Sequence, residues 1–264
     1  MTPEVTVPGG AAVPEPVRPR ATAPVAHPVM HQGWLDLTSV HWRYDPEVVQ
    51  RLLPPGFRVD TFDGAAWVGI IPFLMHRVRP PGLPPLGRLS TFLETNVRTY
   101  LVAPDGRRGV WFASLDVTRL LPALVARATY GLPYCWARMR TERTGDVVHH
   151  TSRRRWPRST AGASVDLRVR LGEVVPPDEV GELEHFVTAR WGLGNQFGRL
   201  PLWAAVDHGP WMLRRAELLS CDESLTAAAG LPPPEGEPLV LWSPGVQVRI
   251  GRPRVVWGTR GPRP

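Results

Sequence analysis

Short apolar segments of strand character recur along this chain, and the turn signals between them are too tight for anything but antiparallel connections. Asp63-Gly64 stands between residues 57–62 and 65–73. An Asp-Gly pair flanked by apolar runs is the strongest short hairpin signal, because both central residues of the favoured turn need positive φ. Pro104-Asp105-Gly106 separates residues 92–102 from 110–116, and Thr144-Gly145 separates 134–143 from 147–152. Residues 164–171 form a further strand, Gly209-Pro210 joins 200–208 to 211–219 as a late hairpin, and residues 239–250 close the body. A first strand spans residues 34–42.

Helices are few. Asp45 is an N-cap, Pro46 fits the first helical position and Glu47 the first turn, and Pro54-Pro55-Gly56 ends that helix. Residues 118–130 carry Leu120, Leu121, Leu124 and Val125 at helical spacing, and residues 179–191 form an amphipathic helix capped by Asp178. Many antiparallel strands with a few helices give an α+β fold, with a curved, barrel- or cone-like sheet that encloses something. Residues 1–30 alternate Pro, Ala and Val without periodicity and read as a disordered leader; 31–250 form a single domain, and 251–264 a basic flexible tail.

The chain contains no lysine: all 31 basic side chains are arginine. A guanidinium stays protonated and clamps anions, but it does not attack carbonyls. Lysine imines, lysine bases and Walker-type phosphate lysines are therefore excluded. The net charge of +7 invites a nucleic-acid reading, yet Arg18, Arg20, Arg252, Arg254, Arg260 and Arg263 put more than half of it in the tails. The one dense internal run, Arg153-Arg154-Arg155 with Arg158 nearby, reads as a solvated strand end, which argues against nucleic acid as a partner. Eleven Trp against four Tyr point to aromatic walls around a core or pocket. Cys135 and Cys221 make neither a disulfide framework nor a zinc pattern. With no apolar targeting segment and no membrane span, cytoplasmic residence is the expectation. The oligomeric state is left open.

Several stretches carry a family resemblance when taken together. They are His41-Trp42-Arg43-Tyr44-Asp45-Pro46 running to Leu52-Leu53-Pro54-Pro55-Gly56-Phe57, the hairpin from Asp63 to Gly69 with Pro72-Phe73, and Phe92-Leu93-Glu94-Thr95-Asn96-Val97-Arg98-Thr99-Tyr100. With Gly131-Leu132-Pro133-Tyr134 and Leu183-Glu184-His185-Phe186, the chain resembles the YqjF-like family of bacterial proteins over about residues 32–250. That family looks like a branch of the acetoacetate decarboxylase-like superfamily. The resemblance implies a cone-shaped antiparallel barrel around a small-molecule pocket. Arg43-Tyr44-Asp45 matches the superfamily's Arg-x-Asp, and Phe92-Leu93-Glu94 its pocket glutamate after an aromatic. Its nucleophilic lysine follows Gly-x-Pro; here Gly131-Leu132-Pro133 is followed by Tyr134 and Cys135. The resemblance thus implies fold and pocket position but not imine chemistry.

Glu94, Asn96 and Arg98 alternate along one strand and share a face. Inside a barrel they would converge on a cavity, with Arg98 clamping a carboxylate, Asn96 holding a carbonyl and Glu94 exchanging a proton. On the outside they would be a solvated face with Glu94 and Arg98 paired. Tyr134 stands where the superfamily's nucleophile would be and suits a hydrogen-bond donor, whereas its neighbour Cys135 faces the other way as an inert thiol. His41 and Arg43 alternate on the first strand, placing Arg43 at the pocket mouth; His185 on the second amphipathic helix is a further binding candidate, against plain helix–sheet packing. His149-His150 diverge on a strand with no partner ligand at metal spacing, so no metal site is expected. There is no Gly-x-Ser-x-Gly, and Gly192-Leu193-Gly194 follows a helix and is no dinucleotide fingerprint. The site expected is therefore Glu94 and Tyr134 as acid–base groups with Arg43, Asn96, Arg98 and His185 binding an unknown small molecule, and no cofactor. The alternative is a non-catalytic protein with a filled barrel.

Overall fold

The computed structural model describes residues 12–119 and 131–256. One mixed sheet of 14 strands makes up nearly all of the regular structure. Its centre is four long neighbours: β13 (Leu239–Gly251), β1 (Pro28–Tyr44), β4 (Ala65–Arg79) and β5 (Phe92–Val102), paired antiparallel in that order. The short strands β2 (Arg58–Val59) and β3 (Thr61–Phe62) pair with β5 and β4. β6 (Arg108–Val117) runs antiparallel to β5 on one edge.

On its other edge β6 is parallel to β7 (Tyr134–Thr144), from which antiparallel pairing continues through β8 (Val147–Trp156), β9 (Ser164–Val174) and β12 (Arg214–Glu223) back to β13. β10 (Gly192–Phe197) also lies parallel to β6, and β11 (Leu200–His208) links β10 to β13 and to β14 (Arg254–Val255). The sheet is thus curved and mixed, not wholly antiparallel as expected. The two parallel contacts both involve β6, with β7 beside its C-terminal end and β10 beside its N-terminal part.

Local sequence explains most of the elements. Asp63 and Gly64 adopt φ of 50° and 70°, the double left-handed turn that an Asp-Gly pair favours, and Phe62 pairs with Ala65 across it. Helix α1 (Pro46–Gln50) is capped by Asp45, whose carboxylate accepts from the Glu47 N–H at 2.7 Å. Helix α2 (Glu182–Thr188) is shorter than the 179–191 read from sequence, and Gly181, not Asp178, is its N-cap. Residues 177–179 form a turn instead, and the chain leaves the helix at Ala189 with ψ of 78°. Helix α3 (Leu225–Ala228) follows β12. The helix expected over 118–130 falls, from residue 120 onward, outside the described residues.

Three other expectations change. The first strand begins at Pro28, and the segment 12–27 makes no strand or helix but touches the body, where Glu15 bonds to Gly106 and Arg108. Residues 200–208 and 211–219 do not form a hairpin. β13 is long enough to take β12 at Leu241–Trp242 and β11 at Val248–Ile250, so the two strands share one edge of it. β10 was not expected, because two glycines weaken strand propensity. Those glycines admit side chains from neighbouring strands: a Cβ on Gly192 would overlap the Trp203 ring, and one on Gly194 would press on Leu101. Lastly, no helix among the described residues is long and apolar enough to cross a membrane.

Candidate functional site

The site is built on β5. Its alternate residues Val97 and Leu101 enter apolar clusters, so the opposite face is presented to the space enclosed by the curved sheet. Glu94, Asn96 and Arg98 lie on that face with only 3%, 3% and 8% of their surface exposed. Cross-strand neighbours supply apolar walls: Phe73 lies opposite Glu94, Ile71 and Leu115 flank Asn96, and Phe112 adjoins Arg98. All seven line one cavity of about 120 Å³, together with Trp34, Trp211 and Tyr134. A space of this size can hold several waters or a small organic molecule. Glu94 and Arg98 paired on the outside of the sheet, the arrangement of the filled-barrel alternative, is not what these residues adopt.

The polar groups of this cavity are incompletely satisfied. Glu94 Oε2, Asn96 Oδ1, Arg98 Nε, Arg190 Nη2 and Trp34 Nε1 are buried and without a hydrogen-bond partner. Leaving a buried donor or acceptor unpaired costs about 1–3 kcal/mol, and more for a charged group. Arg98 Nη2 donates to the Val187 carbonyl at 3.0 Å and its guanidinium lies 5.7 Å from the Tyr100 ring centre. No carboxylate pairs with Arg98 among the described residues. Burial pushes the Glu94 carboxyl up to about 8, opposed in part by a hydrogen bond from Asn96 and reinforced by the Asp116 charge. Glu94 therefore carries its proton at neutral pH and can donate it.

Tyr134 opens β7 beside Leu115 and is held well above the ordinary phenol range by burial and then by Glu94, so it too keeps its proton. Cys135 is buried on the other face, with Sγ 3.7 Å from the Pro133 carbonyl. It takes no part in the cavity.

A second layer fixes this face. His41, fully buried, has Nε2 2.6 Å from the Tyr100 hydroxyl, which itself donates to the Val187 carbonyl at 2.8 Å. The hydroxyl proton is thereby committed, so His41 Nε2 carries the hydrogen and Nδ1 accepts from Ser39 Oγ at 3.0 Å. Burial and the nearby Arg98 charge hold His41 neutral. Arg190, just beyond α2, stacks 4.2 Å from the Phe186 ring and 4.6 Å from the Tyr100 ring. Its Nη1 is 2.6 Å from Asp60, a carboxylate also 2.9 Å from Arg108.

Two expected binding residues lie elsewhere. Arg43 shares the β1 face of His41 but stands one residue from the strand's end, where it is exposed, lies 5.7 Å from the Trp67 ring centre and is ion-paired at 3.0 Å with Asp63 of the hairpin turn. His185 sits on the outer side of α2, against Arg18–Thr22 of the N-terminal segment, and does not line the cavity. The arginine run also divides: Arg153 and Arg155 are exposed, whereas Arg154 points inward to Asp116. His149 and His150 diverge, the first to Asp166 and the second inward between Thr38 and Thr141.

Conversely, Arg190, Trp34, Trp211 and His208 line the cavity although the motifs did not single them out. His208 ends β11 and packs among Trp191, Trp211 and Trp34, with ring centroids 4.4, 5.2 and 6.3 Å away. The high tryptophan count was the only signal that such walls existed. It could not say which tryptophans form them.

Comparison with known proteins agrees with this architecture. The model of the family DUF2071, described as an uncharacterized conserved protein, matches residues 31–247. The chain is 31% identical over 215 residues to the uncharacterized protein YqjF of Bacillus subtilis (strain 168), covering 81% of this chain and 87% of that protein. An acetoacetate decarboxylase-like enzyme from Sphingomonas wittichii RW1 superposes with a TM-score of 0.61 at 16% identity, over 89% of this chain and 96% of the other. The enduracididine biosynthesis enzyme MppR, solved with pyruvate, gives 0.62 at 16% identity, over 90% and 94%. The resemblance carried by the motifs is borne out, and the structural likeness establishes the fold alone.

Proposed function

The chain belongs to the DUF2071 family, and on that premise we propose that its cavity binds a small carboxylate or oxo compound and moves a proton on it without a covalent bond to the protein. Arg98 clamps the anionic oxygen, Asn96 holds a second polar group, Glu94 is the proton carrier and Tyr134 an auxiliary donor. The observation that carries the proposal is the burial of Arg98 with no carboxylate partner among the described residues, beside the unpartnered Glu94 Oε2 and Asn96 Oδ1. A buried cation without a counter-ion is expensive, and an anionic ligand would supply the missing partner.

The lack of any lysine rules out an imine to a side chain, and the proton-bearing Glu94 and Tyr134 in this cavity support acid–base chemistry instead. Pyruvate, the ligand of one structural neighbour, is the kind of small oxo acid that would suit it.

The test is thermal unfolding with millimolar pyruvate, 2-oxobutanoate, benzoate and phenylpyruvate in turn. At least one acid should raise the melting temperature, since a ligand that binds only the folded state stabilises it by mass action. Arg98→Met should abolish the shift. If no acid moves the melting temperature of the unmodified protein, the proposal fails.

A further inference from the structure

His208 is a cavity-lining group without a role in the proposal above. Its Nδ1 lies 2.7 Å from the carbonyl oxygen of Gly209. A carbonyl only accepts, so Nδ1 carries the ring proton and Nε2 is left with a lone pair. No hydrogen bond to Nε2 occurs among the described residues. Three tryptophans surround the ring, and two of them, Trp34 and Trp211, line the cavity with it. Burial lowers the imidazole's proton affinity; the Gly209 bond and Asp207 oppose this, and the Arg98 charge adds to it. Arg98 is therefore within electrostatic reach of His208 while standing two strand positions from each of Asn96 and Tyr100 on the face shared with Glu94.

At neutral pH one enclosed space thus holds a protonated carboxyl and an unprotonated imidazole. Environments that drive an acid and a base to opposite protonation states are the usual mark of divided acid–base roles. A purely structural histidine would more often use both ring nitrogens in bonds, as His41 and His150 do here.

We propose that His208 is a second catalytic residue of this cavity, its Nε2 taking a proton from the carbon next to the carbonyl of a bound oxo acid while Glu94 protonates that carbonyl oxygen. This rests on the reading of the cavity as a small-acid site. The reaction class is keto–enol tautomerisation. The C–H bond breaks, and its electron pair forms the C=C bond. The carbonyl π pair takes the Glu94 proton and becomes O–H. His208 is left as imidazolium and Glu94 as carboxylate, and the reverse transfers reset both. No oxidant, reductant or further reactant is needed. Arg98 holds the carboxylate throughout, and the tryptophan walls keep bulk water from the carbanion-like carbon.

The experiment uses 2-oxobutanoate in deuterium oxide, with loss of the methylene signal followed by proton NMR and binding followed separately by melting-temperature shift. The unmodified protein should accelerate exchange over buffer, and His208→Gln should slow it about 100-fold or more while the shift persists. Glu94→Gln should do the same. Nitrogen NMR of the unmodified protein should show His208 Nε2 without a proton at pH 7, a readout independent of how the variants fold. A protein that binds 2-oxobutanoate but exchanges no faster than buffer overturns the inference and leaves the binding site intact. Unchanged exchange in His208→Gln, or a proton on Nε2, does the same. Absence of any melting shift removes the acid-binding reading and this inference with it.

Discussion

Arg154 grips Asp116 in the interior, with Nη2 2.6 Å and Nε 3.1 Å from the same carboxylate oxygen, and both side chains almost wholly enclosed. Ser114 accepts a further bond from the guanidinium at 3.1 Å. Strand alternation turns this one member of an arginine run inward while Arg153 and Arg155 stay in solvent.

Breaking that pair should therefore be severe. Asp116→Asn leaves an enclosed guanidinium without a counter-charge, and loss of one partner of a buried pair costs about 3–5 kcal/mol. Urea unfolding measures it. Arg153→Gln, one residue away, should change stability by less than about 0.5 kcal/mol.

Glu94 gives the protein a distinctive pH dependence. Its carboxyl titrates near 8 when folded, against an ordinary value of 4.5. Between those values the folded state binds a proton that the unfolded chain releases, so stability falls as pH rises, by up to about 1.4 kcal/mol per unit. Glu94→Gln should match the unmodified protein near pH 4.5 and exceed it by a few kcal/mol at pH 8.5. Denaturant midpoints across that range would show converging curves at the acid end. Parallel curves would contradict the assignment.

Ligand affinity should depend on Arg98 far more than on Arg43. Removing a hydrogen bond to a charged group costs about 1.5–3 kcal/mol, so Arg98→Met should weaken an acid ligand at least about tenfold. Arg43→Met removes exposed contacts with Asp63 and the Trp67 ring, outside the cavity, and should leave binding unchanged. Calorimetric titration of both variants compares them directly.

Gly69 is required by a neighbour. A Cβ there would overlap the His41 imidazole, which has no room to retreat because both its nitrogens are bonded. Gly69→Ala should cost about 1–3 kcal/mol as overpacking does, and should shift the Tyr100 resonances in NMR spectra.

How far the sequence reaches is clear from particular residues. The Asp63-Gly64 turn and the Asp45 cap were readable because each depends on a few adjacent side chains. So was the shared face of Glu94, Asn96 and Arg98, which follows from a two-residue repeat. Whether that face was wet or enclosed could not follow from alternation, since it depends on strands distant in the chain. Arg190 and His208 were invisible for the same reason: neither belongs to a motif, and they reach the cavity through how the end of α2 and the end of β11 are placed. Alternation with His41 puts Arg43 on the right face, but only distant sequence decides how far the cavity extends, and Arg43 meets Asp63 of the hairpin turn instead of the cavity. The late hairpin failed because β11 pairs along β10 and β12 along β9, strands whose positions no local turn signal fixes, and the two meet β13 at separate places.

One carbonyl, that of Val187, receives both the Tyr100 hydroxyl and the Arg98 guanidinium. The short helix α2 is therefore a lever resting on the cavity's cation. Changes on the half-buried side of that helix, at His185 or Glu184, would reach Arg98 through the Val187 carbonyl without touching it, and they make poor neutral controls for studies of binding.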